Sequence, residues 1–430
     1  MYITWRAVAF SSIGIVVATL ASSGMVAWAW LGLTLLLIVL DVASAPSPRA
    51  LAVRRDTPPS VRLSEATSGT VTVLNMGTRT IRGVIRDAWQ PSAGATRNRH
   101  DLDLPEGERR RFTTALRPTR RGDRLAGPVT VRILGPLRIA GRQLSLPCPA
   151  SLRVLPEFSS RRHLPSRLAR LRELDGRSAV QIRGPGSEFD SLREYVIGDD
   201  VRSIDWRATA RRSEVVVRTW RPERDRQVFI VIDTSRTSAA RVGDTPRLDA
   251  AIEATLLLSA LASKAGDRIS AIAFDRSVRA RVSGISGSAL MPALADRLAP
   301  LEPRLAEADW SGAVSVIQES LSQRALVVLL TSIDPAAVEA GLLRAIAPVA
   351  RKHQVVIASV DDPEIMAMMA ERGGPLEVYG AAAAARFDLE RRAVAEQLRQ
   401  RGLEVVSADP DSLAPALADT YLALKAAGRL

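Results

Sequence analysis

The sequence predicts a membrane-anchored chain of several domains. These are an N-terminal transmembrane helical hairpin, a small β-sandwich, and a C-terminal α/β domain with a mostly parallel sheet covered by helices. Three observations predict this. No charged residue occurs between Val8 and Leu40. Short runs of β-forming residues separated by turn residues fill the stretch from Val61 to Leu155. From Gln227 onward, apolar runs of strand length alternate with helical patterns. The expected boundaries are 1–45 for the two helices, 46–157 for the β-rich part, 158–226 for a basic linker with a polar signature, and 227–430 for the α/β domain.

Composition narrows the function classes. With 430 residues and 47% of them apolar, the chain can bury its cores without covalent staples. The single cysteine, Cys148, excludes an intramolecular disulfide framework and any multi-cysteine metal cluster. His100, His163 and His353 are too scattered for a histidine-rich catalytic metal site. There is no Gly-x-x-x-x-Gly-Lys-Ser/Thr phosphate loop. The net charge of +13 is concentrated between Ser47 and Arg226, where 36 arginines face 20 acidic residues. Lysine occurs only at Lys264, Lys352 and Lys425, so the excess of arginine reads as a compositional bias more than a selected surface. Arginine beside a bilayer is also drawn to anionic headgroups. Nucleic acid is therefore not expected as a partner; were the Arg-rich middle to bind it, retention would depend steeply on salt.

The uncharged run is well over the roughly 20 residues that one membrane-crossing helix needs. A polar cluster, Ala21-Ser22-Ser23-Gly24, sits at its centre and divides it into helices expected over Ile3–Leu20 and Met25–Leu40. Trp5, Trp28 and Trp30 lie near the expected helix ends, where amphipathic rings favour the interface. Ala43-Ser44-Ala45 looks like a signal-peptidase site, but the apolar core of a signal peptide runs only about 7–15 residues. Arg6 flanks one end, and Arg49, Arg54 and Arg55 the other, while the turn has no charge. The positive-inside rule then places both ends, and the soluble body, in the cytoplasm.

Pro46, Pro48, Pro58 and Pro59 mark a linker leaving the membrane. Strands are expected at Val61–Leu63, Thr70–Leu74, Thr80–Asp87, Arg111–Leu116, Val129–Leu134 and Leu152–Leu155. No chemistry is visible there, and His100 reads as an exposed loop residue. Further on, Leu164, Leu168, Leu171 and Leu174 fall on one helical face within a basic stretch, a pattern suited to packing on a neighbouring domain.

Glu188 to Arg211 is the most specific segment. Gly198-Asp199-Asp200 reads as a turn whose carboxylates bond nearby amides. Arg193, Arg202 and Arg211 offer planar forks that match carboxylates, and Trp206 offers an apolar anchor expected to be buried. The mixture suits an interlocked, partner-binding or structural network better than catalysis. The pattern formed by Arg193, Tyr195, Gly198, Asp199, Asp200, Arg202, Ile204, Asp205, Trp206, Ala210 and Arg211 resembles the signature of the bacterial domain of unknown function 58 family. Ile197 departs from it, since proline is common there. The resemblance extends over nearly the whole chain. It implies a von Willebrand factor A-like C-terminal domain and association with MoxR-type AAA+ ATPases.

The residues of the last part agree with such a fold. Strands are expected at Gln227–Asp233, Arg268–Phe274, Ala325–Leu330, Gln354–Val360 and Leu403–Val406, and helices at Leu248–Ala265, Pro335–Lys352 and Leu389–Arg401. Ligands of such sheets bind beyond the carboxyl ends of the strands, where Asp233 lies. The implied family carries an adhesion-type metal site, and Asp233, Ser235 and Thr237 match its first element. These oxygens suit Mg²⁺. The other elements are degenerate. Ala308 falls where a threonine is usual, Ser332 where an aspartate is usual, and Asp334 lies two residues later. Arg236 puts a cation inside the motif. The expected function is a membrane-tethered binding and assembly module, working with a MoxR-type ATPase in maturation of envelope-associated complexes and not an enzyme. A hydrolase using Asp233 and Ser235 is the alternative, without an evident histidine base nearby in sequence.

Overall fold

The computed structural model describes all residues except 182–187, 197–198, 213, 222–225 and 335–340. It divides into two units, Met1–Glu157 and Phe158–Leu430.

In the first unit the apolar run folds as two antiparallel helices, Trp5–Ala21 and Gly24–Ser44, turning at Ser22 in the left-handed region (φ 45°). The Trp30 ring stacks on Phe10 with centroids 5.1 Å apart, and its indole N–H donates to the Phe10 carbonyl. Trp30 therefore fills the helix–helix seam and is no interfacial ring. Gly14 is required opposite it, because a Cβ there would come within 1.9 Å of the indole. The Gly24–Ser44 helix is long and apolar enough to cross a membrane, whereas Trp5–Ala21 is apolar but shorter. At about 1.5 Å per residue the longer helix spans roughly 32 Å.

That helix does not stop at Leu40, as the charge at Asp41 suggests. Asp41 is buried, and its carboxylate accepts from the backbone N–H groups of Leu137, Ile139 and Ala140 at 2.7–2.8 Å. The same turn holds the start of the first helix. Thr4 donates its hydroxyl to the Ile139 carbonyl, and Tyr2–Ile3 pairs with Ala140–Gly141. Both outer ends of the helix pair are thus fixed on one β-turn.

Two sheets complete this unit. Leu51–Asp56, Thr67–Asn75, Arg109–Leu116 and Ala95–Thr96 form one sheet. The other is built around the long strand Gly122–Leu134, which pairs with Ile81–Trp89, Ala140–Leu146 and Ser151–Leu155. Val71 and Val73 from the first sheet share a core with Ile85, Val131 and Ile133 from the second. Two expectations fail here. Arg55 is no membrane-flanking charge: it is fully buried, pairs with Asp87 and donates to the Gly127 carbonyl. His100 lies in the strand Arg99–Leu104, half-buried against Phe112, because alternation turns Leu102 and Leu104 inward around it.

The second unit is an α/β layer. Its six-stranded sheet runs Val278–Val282, Arg268–Phe274, Gln227–Asp233, Leu326–Leu330, Gln354–Val360, Glu404–Ala408. All neighbours are parallel except the first pair, whose edge strand was not anticipated. Numbered along the chain, the order is 3-2-1-4-5-6. Such a sheet reverses direction between its first and fourth strands, and the crevice at that switch point is where open α/β sheets bind ligands. Within Gln227–Asp233 the run from Val228 to Ile232 is continuously apolar because helices cover both faces. Arg247–Lys264 and Pro410–Ala426 pack on one side, and Trp310–Ser320, Leu342–Lys352 and part of Pro375–Gln400 on the other. The leucine stripe of helix Leu164–Gln181 joins the first side through buried Leu171, while Arg167 and Arg170 clasp Asp419. Separately, Glu188–Glu194 pairs with Val216–Arg221 as an antiparallel ribbon.

Candidate functional site

The switch point brings Asp233, at the end of the first strand, beside Thr331, just past the end of the fourth. Asp233 is 1% exposed. One carboxylate oxygen accepts the Ser235 backbone N–H at 2.8 Å, and the other accepts the hydroxyls of Thr237 at 2.8 Å and Thr331 at 2.6 Å. The Ser235 and Thr237 hydroxyls also bond each other at 3.1 Å. The three residues of the Asp-x-Ser-x-Thr motif are therefore together. Thr331, unremarked as a site residue in the sequence, completes them from 98 positions away.

Ser332 and Asp334 do not join this carboxylate. Arg247, the first residue of helix Arg247–Lys264, donates to the Ser332 hydroxyl at 3.2 Å and to Asp334 at 3.0 Å. Arg236, the cation within the motif, points elsewhere, to Glu307 on the surface. Ala308 packs on the apolar core and brings no oxygen. Next door, Asp275 directly follows the second strand. It accepts from the backbone N–H groups of Arg276 and Ser277 and pairs with Arg279 at 2.8 Å. Burial pushes its pKa up, but the Arg279 bond and these amides outweigh burial and hold it below the usual carboxylate range.

The residues fit Mg²⁺ poorly. That ion needs near-octahedral oxygen ligation and keeps several of its waters. Both Asp233 oxygens already accept protein donors, and Asp334 is engaged by a guanidinium. The space bounded by Thr237, Arg247, Thr331 and Ser332 is about 10 Å³, room for one water at most. Among the described residues, no three of His, Cys, Asp and Glu converge. Nor, among the described residues, is a histidine base in place for Ser235: His353 lies at the opposite, amino end of strand Gln354–Val360.

The signature segment is built by its carboxylates. Asp199 accepts from Arg193 and from the Val196 N–H, and Asp200 from the Arg202 N–H. Asp205 accepts from the N–H groups of Arg207 and Ala208 and pairs with Arg218 at 2.8 Å. The Ala208 amide, then Arg218, hold Asp205 below the usual carboxylate range. Tyr195 contributes its backbone N–H to the Val215 carbonyl. Arg211 is exposed, and Ile197 and Gly198 lie outside the described residues. Trp206 is 69% exposed and so is not the buried anchor expected. The carboxylate-capped turn that opens helix Trp206–Arg212 leaves its first side chain exposed, as are Val196 and Val201 in the same segment.

The family described as protein of unknown function DUF58 matches over residues 191–406. The uncharacterized protein Rv1480 of Mycobacterium tuberculosis is 27% identical over 185 residues, covering 42% of this chain and 57% of that protein. The uncharacterized protein Mb1516 of Mycobacterium bovis matches with the same figures. The chain thus spans 57% of the length of these relatives. Among solved structures, the CARDB domain of the PF1109 protein from Pyrococcus furiosus is 16% identical, covering 26% of this chain and 94% of the domain, with a TM-score of 0.19. A β-glucosidase from Listeria innocua is 14% identical, covering 24% of this chain and 16% of the enzyme, with a TM-score of 0.18. Scores this low carry no argument.

Proposed function

This chain belongs to the family of proteins of unknown function DUF58, and from that premise we propose that it is a membrane-anchored binding module which takes up a protein partner at the carboxyl edge of a von Willebrand factor A-like domain. The partner is a MoxR-type AAA+ ATPase, and the pair acts in maturation of envelope-associated complexes. Both apolar helices cross the bilayer, and the soluble body lies in the cytoplasm.

One observation carries the reading. The switch point, where open α/β sheets receive ligands, holds a hydrogen-bonded set of oxygens around Asp233, with no histidine base for the Ser235 hydroxyl among the described residues. Such a set suits recognition better than hydrolysis, because an unactivated serine is a weak nucleophile. Arg236 and Glu307 form its exposed rim. A surface pair of this kind contributes about 0–1 kcal/mol to stability, so the rim can be altered without unfolding the site.

The test uses the full chain in detergent, immobilised, with a MoxR-type ATPase from the same genome in solution. Arg236→Glu is expected to lower retention by roughly tenfold, as reversal of an interface charge does, with the melting temperature unchanged. Equal retention by wild type and variant, or none by wild type, overturns the proposal. For the membrane arrangement, a cytoplasm-dependent reporter fused after Leu430 is expected to be active, and activity of an exterior-dependent one refutes it.

A further inference from the structure

We propose that Arg247 supplies, from within the chain, the positive charge that a divalent ion would bring to a site of this kind, so that the switch point is complete without metal. Three observations converge. Arg247 donates through one nitrogen, Nη1, to two oxygens of the loop after the fourth strand, Ser332 Oγ at 3.2 Å and Asp334 Oδ2 at 3.0 Å. Its side chain is only 11% exposed, so water screens the guanidinium poorly. It also lines the same small space as Thr237 and Thr331, the two hydroxyls that hold Asp233.

The charge is permanent. A guanidinium stays protonated at any physiological pH, and a dication placed in the same space would meet it at close range in a poorly screened setting. The backbone holds the residue there as firmly as the side chain does. Arg247 opens its helix, and its N–H donates to the Ala240 carbonyl at 2.9 Å. Asp233 and Asp334 are then both satisfied by donors from the chain: one by an amide and two hydroxyls, the other by Arg247. Neither needs a metal to offset its charge. The inference concerns the ion alone and stands whether or not a partner docks at this edge.

Mn²⁺ is the probe, because its free form is read directly by electron paramagnetic resonance. With the full chain in detergent, about 1 mM Mn²⁺ is expected to stay free, and chelator to move the melting temperature by less than about 1 °C. Arg247→Gln removes the charge and releases Asp334. This variant is expected to take up about one Mn²⁺ per chain, and Asp233→Asn in that background to abolish the uptake. Stoichiometric Mn²⁺ on the wild type, lost on Asp233→Asn, overturns the proposal, as does a folded Arg247→Gln that still ignores the ion. Should Arg247→Gln fail to fold, Arg247→Lys carries the test: it keeps the charge without the fork. Indifference to Mn²⁺ then supports the proposal, and uptake overturns it.

Discussion

Asp233→Ala tests whether the switch point is a built polar cluster or an open ligand edge. The substitution removes the acceptor of three donors: the Ser235 N–H and the Thr237 and Thr331 hydroxyls. A hydrogen bond to a charged acceptor is worth about 1.5–3 kcal/mol, and a buried donor left without one costs a similar amount. Thr237 can turn to Ser235 Oγ, 3.1 Å away, and recover part of its loss. Counting the Ser235 N–H and the Thr331 hydroxyl as losing theirs, the expected destabilisation is about 3–5 kcal/mol. Asp233→Asn keeps the shape and one good acceptor, so it is expected to cost about 1–2 kcal/mol. Hydrogen exchange of the full chain, read on the amides of Gln227–Asp233 and Leu326–Leu330, measures this locally without assuming two-state unfolding. Protection should fall by roughly two to three and a half orders of magnitude in the alanine variant. A change below about 1 kcal/mol would refute the cluster and leave Asp233 as a solvated strand end.

Three other substitutions separate the parts of the molecule. Trp206→Ala is expected to change stability by less than about 1 kcal/mol, because the indole is exposed; a drop of about 3 kcal/mol in a denaturant titration would show that it is buried after all. Asp275→Asn is expected to flatten the acid limb of the stability curve. The folded-state pKa of Asp275 is depressed, so its contribution is fully present above about pH 4. It is lost as pH falls through the folded value. Melting curves of wild type and variant should therefore differ most at neutral pH and converge in acid; a constant gap refutes the linkage. Asp41→Ala strands three backbone N–H groups and is expected to cost about 2–4 kcal/mol, read as faster proteolysis at residues 135–139.

What was legible in the sequence is what burial writes locally. Gln227–Asp233 reads as a strand covered on both faces because every residue from Val228 to Asp233 is buried. The leucines of helix Leu164–Gln181 read as one face because that face packs on the core that covers one side of the six-stranded sheet. Two strands with charge in them were missed. Leu51–Asp56 ends in Arg54, Arg55 and Asp56, and the edge strand Val278–Val282 alternates arginine with small apolar residues. The larger failures are the distant partners of buried charged groups. Arg55 meets Asp87 across 32 positions, Asp41 meets Ile139 across 98, and Asp233 meets Thr331 across 98. A buried charge is tolerated only with its partners in place, and partners so distant leave no periodic trace.

Arg236 and Arg247 show how such a misreading arises. Within the motif, Arg236 looks like the cation of the site because it sits between Ser235 and Thr237. A loop residue between two inward-facing hydroxyl residues, however, points away from them, and Arg236 reaches Glu307 in solvent. Arg247 lies eleven positions further on, past a short two-stranded turn, and opens the helix that returns across the sheet. Every Cα–Cβ bond in a helix tilts toward its N-terminus. A long side chain at the first helical position therefore leans back over the carboxyl edge that the chain has just left. In a strand–loop–helix unit of this kind, the residue placed to reach the switch point is the one that starts the helix. Arginine at that position meets the loop of the fourth strand through one guanidinium nitrogen and with a fixed charge, and Asp334 is its counter-charge.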